Sequence, residues 1–451
     1  MKINLYLLLS ILLILIGIII YKNIYKIKIT FLTFIVILRG ILAPNCFWWK
    51  ISDLLLKDSA GVELYKQYKK DKGDFALTKM YGKKVYIVTN NKYRKIILDN
   101  SPHLFKVGEL KKKFFKSFMK HNVGVSTGCP WQNRRHLNEI VLTTDKLHLF
   151  SKKYNNDTKK VLMKYKPIIL DHLYFKNIGK NITKKVIFNC NKVHDDVFNI
   201  FNEANSIIPL INDNFKINQT IYNNYINTLK KHINNPKKNS LFELCLYSTK
   251  DETEIIHQIP HFIFPIVGLY ITTIPRLLLL LCNHPVDFKI IIDEIYSINE
   301  HHQAIYKLPY LRSCILETLR LNNPVTTTFR TLSKDFSFDK NNHFKKNDQF
   351  LILNNAVLRE NEYWKLPNSF IPSRWNYNNE QSYYALSFNQ GPQKCPGKEL
   401  AIFLTQSFIY HFIKINKIGR KNTITSNKID TDNIKGAINS CDIIFNIKSI
   451  Q

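Results

Sequence analysis

One cysteine, set in a glycine-flanked loop just ahead of a long apolar run, constrains this chain more than any other feature. The segment reads Phe388-Asn389-Gln390-Gly391-Pro392-Gln393-Lys394-Cys395-Pro396-Gly397, and the helix-like run follows through Lys398 to Phe412. A thiol placed where a loop enters a helix meets free backbone N–H groups and the positive end of the helix dipole. Lys394 adds a further charge, so Cys395 is suited to metal ligation. Gly391 allows a tight turn and Gly397 a close backbone approach. A loop cysteine taken alone is more often a buried thiol, so its neighbours must decide. The eight cysteines, at 46, 129, 190, 245, 282, 314, 395 and 441, contain no C-x-x-C pair. That spacing argues against a zinc ribbon, a redox dithiol or a disulfide framework.

With 451 residues, 45% hydrophobic and 22% charged, the chain can bury a large core as one big domain or two ordinary ones. Ile3 to Tyr21 is an uncharged run of nineteen residues, long enough to cross a hydrocarbon core. Lys22, Lys26 and Lys28 follow it, which by the positive-inside rule leaves the downstream chain in the cytosol. We read residues 1–22 as a single-pass membrane anchor, 23–50 as a juxtamembrane and linker segment, and 51–451 as the folded domain. Ile29 to Leu38 is too short to span and is expected to lie in the interface. Beyond residue 51 the pattern predicts a helix over 54–70, a hairpin of 75–80 and 84–89 around Tyr81-Gly82, and a short helix over 91–98. Further helices are predicted near 130–149, 157–174, 253–283, 285–298, 310–321 and 397–414. The fold class is therefore mainly α with a minor β-sheet region. Signals in the Asn-, Lys- and Ile-rich tract 181–240 are diluted.

Three more motifs precede the cysteine loop. Trp131-Gln132-Asn133-Arg134-Arg135 lies on a helical pattern, Glu317-Thr318-Leu319-Arg320 on another, and Phe370-Ile371-Pro372-Ser373-Arg374-Trp375 follows. An E-x-x-R alone is an ordinary i,i+3 ion pair. In this order, with Cys395, the set resembles the cytochrome P-450 haem-thiolate family over nearly the whole chain after residue 50. The resemblance implies a cytochrome P-450-like fold carrying haem b, with Cys395 as the iron ligand. It implies that Trp131, Arg135 and Arg330 contact the haem propionates and that Phe388, Gly391 and Gly397 shape the ligand loop. It further implies that Glu317, Arg320 and Arg374 form a buried triad that fixes this loop.

Two departures from the family pattern stand out. Gln393 occupies the usual position of an arginine, which weakens or replaces one propionate contact. In the central helix the family carries an acid–alcohol pair that relays protons to dioxygen, whereas here Gly268-Leu269-Tyr270-Ile271-Thr272-Thr273 offers no carboxylate in any register. A glycine-based alignment puts Tyr270 in the acid position. Thr272 or Thr273 could pass a proton through water, or could simply back-bond to a helix carbonyl. Pro265 and Pro275 each remove a backbone donor, so a kink or interruption is expected there.

The resemblance thus implies a monooxygenase acting on a small lipophilic substrate. It would draw electrons from an external NADPH-dependent reductase or other donor, with its membrane placement at the endoplasmic reticulum in a eukaryotic host. A haem-thiolate isomerase or dehydratase using a peroxide, or a non-catalytic haem protein, are the alternatives. His257 and His261 have metal-site spacing, but Pro260 lies between them and no carboxylate is near, so they read as ordinary helix-start residues. The net charge of +31 and the runs Lys111-Lys112-Lys113 and Lys237-Lys238 read as solvated faces suited to anionic lipid or an acidic donor. No nucleic-acid partner is expected, because no nucleic-acid-binding motif accompanies the basic tracts.

Overall fold

The computed structural model describes residues 60–450 except 81–82, 116–118, 166–167, 205–215 and 376. The expected anchor at 1–22, the segment 23–50 and the Tyr81-Gly82 turn lie outside the described residues.

Helix α1 (Ala60–Lys72) leads into strands β1 (Phe75–Met80) and β2 (Lys83–Val88), then α2 (Asn91–Asp99), β3 (Phe105–Val107) and α3 (Glu109–Phe115). Asn90 caps α2 by accepting from the Lys92 N–H, which satisfies one orphan donor of the first turn. The short strand β4 (Ile169–Leu170) pairs with β10 (Phe445–Ser449), which pairs in turn with β9 (Asn422–Ser426). Strands β5 (Thr328–Leu332) and β8 (Gln349–Ile352) complete a five-stranded sheet in the order β1-β2-β8-β5-β3, while β6 (Phe336–Ser337) and β7 (His343–Phe344) form a separate pair. Arg330 lies in register with Val107 on one side and Phe350 on the other. The sheet has its own core, in which Phe75, Phe105, Phe338, Phe344 and Phe350 meet edge to face or tilted.

The larger core is helical. Helices α4 (Gly128–Leu142), α5 (Ser151–Lys164) and α6 (His172–Thr183) surround a central helix, α7 (Glu252–Gly268), which continues through a π turn (Leu269–Thr273) into α8 (Ile274–Asn283). Helices α9 (Pro309–Leu321) and α10 (Lys398–Ile415) close the other side. The α7–α8 rod is apolar and long enough to cross a membrane, but most of it is buried inside the fold. Gly179 of α6 lets the rod approach closely, since a Cβ there would stand 2.8 Å from Tyr270 Cβ. Helices α5 and α10 are joined by Asn155, whose Oδ1 accepts from the Ser407 hydroxyl at 2.8 Å.

Three elements differ from expectation, the first being the helix near 130–149, which stops at Leu142 where Thr143 turns left-handed. The single helix over 157–174 is instead α5, ending at Lys164, and α6, which starts afresh after Asp171 caps the Tyr174 N–H. The central helix is not broken at its prolines. The extra residue is absorbed between them, where the Ile274 N–H donates to the Leu269 carbonyl five residues back. This keeps the rod continuous ahead of Pro275, which has no donor to offer.

Candidate functional site

The cysteine loop is fixed at both ends by backbone. The Cys395 N–H donates to the Phe388 carbonyl at 2.8 Å, and the Lys394 N–H to the Gly391 carbonyl at 2.9 Å. Gly391 has φ +72°, and a Cβ on it would lie 2.6 Å from the Leu98 carbonyl oxygen. Only glycine lets the loop seat against the end of α2. Gly397 is different. Its φ is ordinary and a Cβ would make only a 3.5 Å contact with Leu142, so any close approach it serves is not to protein.

Cys395 sits three residues before α10. Burial pushes its thiol up, opposed by the Gly397 N–H and by the charges of Arg135 and Lys398. The charge expected from Lys394 is directed elsewhere, because its ammonium pairs with Asp145 at 2.5 Å on the surface. Arg135 reaches the loop directly. It donates to the Lys394 carbonyl at 2.6 Å and to Glu139 at 2.6 Å. Trp131, one turn earlier on α4, is buried with its ring edge-to-face against His103.

Behind the loop, Glu317 is wholly buried and accepts from four groups. Arg320 donates at 2.8 and 2.9 Å, Arg374 at 3.1 Å, Trp375 Nε1 at 2.9 Å and the Ile371 N–H at 3.0 Å. Arg320 spends its remaining donors on the carbonyls of Leu358, Pro367 and Ser369, and its guanidinium lies 5.3 Å from the Trp364 ring centroid. The indole of Trp375 is a partner that motif reading alone missed, although the motif contains it. A second network ties α9 to the start of α10. Arg312 bridges Glu380 and Glu399, and Lys398 also reaches Glu380.

The central rod presents His261, Pro265, Gly268 and Thr272 at i, i+4, i+7 and i+11, along one face. Pro265 is exposed although Ile266 and Gly268 beside it are buried. The Thr272 hydroxyl donates to the Gly268 carbonyl at 2.8 Å. Thr273 is buried beside it. Tyr270, in the acid position of the glycine-based alignment, turns away into the core. There it is fully buried against Phe408, and its hydroxyl is driven far above the ordinary range by desolvation.

His257 and His261 do not start the helix. It begins at Glu252 behind the Asp251 cap. The His257 ring packs edge to face on His121, 4.8 Å between centroids. Burial, with the charges of Lys111 and Arg135, pushes the His261 imidazole down to about 4. Lys111 is likewise not a simple solvated residue. Its side chain is accessible, yet surrounding protein and the Arg330 charge push its ammonium down to about 8. Arg330 is buried, donating to Ser101 Oγ at 2.8 Å and to the Phe329 carbonyl at 2.9 Å, and pairs with no carboxylate among the described residues.

These electrostatic couplings link Cys395, Arg135, His261, Lys111 and Arg330 in one chain of neighbours. Their chemistry fits a dianionic cofactor with a soft-ligand metal. The thiol supplies a soft donor, whereas Lys111 and Arg330 are desolvated cations with no counter-charge among the described residues.

The family model described as Cytochrome P-450 matches residues 180–415. Among curated proteins, the chain is 32% identical over 120 residues to beta-amyrin 11-oxidase of Glycyrrhiza uralensis, covering 27% of this chain and 24% of that protein. It is 31% identical over 112 residues to beta-amyrin 28-monooxygenase of Solanum lycopersicum, covering 25% and 23%. To the probable cytochrome P-450 28d2 of Drosophila melanogaster it is 28% identical over 167 residues, covering 34% and 33%. The chain thus matches between about a quarter and a third of these relatives' lengths.

Proposed function

The chain belongs to the cytochrome P-450 family, whose members bind haem b through a cysteine thiolate, and from that premise we propose that it is a membrane-anchored haem-thiolate monooxygenase oxidising a small lipophilic molecule. Electrons would come from a separate reductase and the anchor would be residues 1–22. The observation that carries this reading is the placement of Cys395. It lies at the mouth of α10, in a loop gripped by Arg135 and backed by the closed Glu317 network.

In this reading Cys395 Sγ is the iron ligand. Burial raises this thiol in the metal-free chain, and a bound metal would be held by its thiolate form. Trp131, Arg135 and Arg330 would hold the propionates through hydrogen bonds, charge-assisted from the two arginines. Gly397 would leave room for the macrocycle above the loop, while Gly391 seats the loop against α2 and the Phe388 carbonyl holds the Cys395 N–H. Glu317, Arg320 and Arg374 hold that loop in place without touching substrate. When bound, thiolate-ligated haem supplies the redox centre that favours O–O cleavage. The chain's own part at the opposite face is to exclude water with the buried rod and to hold a proton at Thr272 Oγ1. That hydroxyl gives its hydrogen to Gly268 and keeps its lone pairs to accept from water. Thr273 is the neighbouring candidate for the same task.

The absence of a carboxylate between Pro265 and Pro275 favours one second reading, a haem-thiolate isomerase or dehydratase that receives its oxygen–oxygen bond preformed and needs no proton relay. Turnover of a lipid hydroperoxide without reductant would select it.

The carbon monoxide difference spectrum of the reduced full-length protein tests the shared premise. The red-shifted thiolate band is expected in the wild type and its loss in Cys395→Ser. An unchanged band in that variant would overturn the assignment of the ligand.

A further inference from the structure

Gly108 links α3 to the sheet at close range. A Cβ on it would lie 2.7 Å from Phe329 Cβ, so the first turn of α3 is pressed onto the strand that carries Arg330. Lys111, three residues on, therefore projects beside Arg330 rather than outward. A Cβ built on Gly124 would stand 3.4 Å from Lys111 Nζ and 3.8 Å from His261 Cε1. The loop from Asn122 to Ser126 thus brings Lys111 and His261 together against one bare stretch of backbone. The Gly124 N–H is already donated to Asn122 Oδ1 at 2.7 Å.

The carboxylates nearest in sequence to this cluster are committed elsewhere. Glu109 takes Lys112 at 2.8 Å, Glu139 takes Arg135 at 2.6 Å, and Glu254 takes Arg134 Nε at 2.7 Å. Among the described residues, no carboxylate pairs with Lys111, His261 or Arg330. A desolvated ammonium is costly unless it meets an opposite charge. At the position where the family usually has an arginine, Gln393 leaves its Oε1 buried without a hydrogen-bond partner.

We propose that Lys111 and His261, packed against Gly124 beside Arg330, form a carboxylate-binding subsite. The proposal rests on the haem-thiolate reading above and deepens it. The carboxylate comes from one of two sources, a haem propionate left short of a partner by Gln393 or the acid group of a lipophilic substrate.

Haem-loaded, full-length protein separates the two sources. Haem release to apomyoglobin is measured beside the spin-state shift produced by dodecanoate and by methyl dodecanoate. If the subsite holds a propionate, Lys111→Met releases haem about tenfold faster, the loss expected for one charged hydrogen bond, and adding Gln393→Arg restores slow release. If it holds the substrate's acid, haem release is unchanged and dodecanoate binding weakens about tenfold, while the ester binds as before. His261→Asn gives the same pattern at smaller amplitude, and carries the test alone if the lysine variant does not fold. Lys111→Arg should retain wild-type behaviour in both assays. Unchanged haem release together with an unchanged acid-to-ester preference, in whichever of Lys111→Met and His261→Asn fold, overturns the proposal. A wild type lacking the thiolate band overturns the haem-thiolate reading itself, a failure the band makes distinguishable.

Discussion

Two regions of this molecule bury charge, and they do so in opposite ways. Around Glu317 every charge is answered from within, because two arginines, an indole and a backbone N–H converge on one carboxylate. The outer donors of both arginines end on carbonyls. Around Gly124, Lys111 and Arg330 bring desolvated cations together, and no carboxylate among the described residues meets them. The first arrangement is complete as the chain stands, whereas the second is complete only with an anion from outside. Charge that is internally closed holds a loop, and charge that is left open holds a ligand.

The largest effect expected from this contrast is at the closed network. Glu317→Gln strands the buried guanidinium of Arg320 and the partly buried one of Arg374 and should cost about 3–5 kcal/mol in denaturant unfolding. A loss of less than about 1 kcal/mol would show that the network is a set of screened pairs, and the comparison would fail on its firmer side. A smaller loss is expected where the loop meets α2. Gly391→Ala forces a Cβ to within 2.6 Å of a backbone oxygen at φ +72°, a strain of about 2 kcal/mol. Gly397→Ala meets no such obstacle in the protein and should leave the unfolding midpoint of haem-free protein unchanged.

At the open cluster the sign reverses. In haem-free protein, Lys111→Met removes a charge without a counter-charge and should raise stability by about 1 kcal/mol, a figure reduced for the accessibility of the side chain. The same lysine gives a pH signature. Its folded-state value is lowered from 10.5 to about 8, so the unfolded chain binds more protons across that interval. Wild-type haem-free protein therefore gains stability as pH rises from about 8 toward 10.5. Lys111→Met should abolish that rise. A variant equally sensitive to alkaline pH would show that Lys111 is paired after all.

How much of this was legible in the sequence follows the same division. The Cys395 loop and the Glu317, Arg320 and Arg374 positions are carried by short motifs whose contacts are local or lie in fixed order, so residue type and spacing give them away. Lys111 sits in a run of three lysines, the pattern of a solvated face, and only the crossing of Gly108 over Phe329 turns it inward. That crossing is a tertiary fact with no local signature. Lys394 erred the other way, since adjacency to Cys395 suggested a charge that Asp145 in fact draws to the surface. The π turn escaped periodicity because one added residue shifts the face of everything after it. That shift also sets which way the side chains after the turn face.

The smallest expected effect lies at that turn, and it is the one that bears on the chemistry. Thr272 is buried, and its hydroxyl is bonded to the Gly268 carbonyl of its own helix. Thr272→Val keeps the shape and removes a back-bond that contributes little in a helix, so the unfolding midpoint should move by less than about 0.5 kcal/mol. Any functional change in this variant then reports the hydroxyl and not the fold. If Thr272 Oγ1 holds the proton needed to use dioxygen, reductant-driven turnover falls and a larger share of the oxygen consumed appears as hydrogen peroxide. Turnover of a hydroperoxide, which arrives with its oxygen–oxygen bond made, stays as in the wild type. Equal loss in both assays would instead place Thr272 in substrate packing. No loss in either would make the back-bond its whole role and pass the proton to Thr273, one residue further along the same π turn.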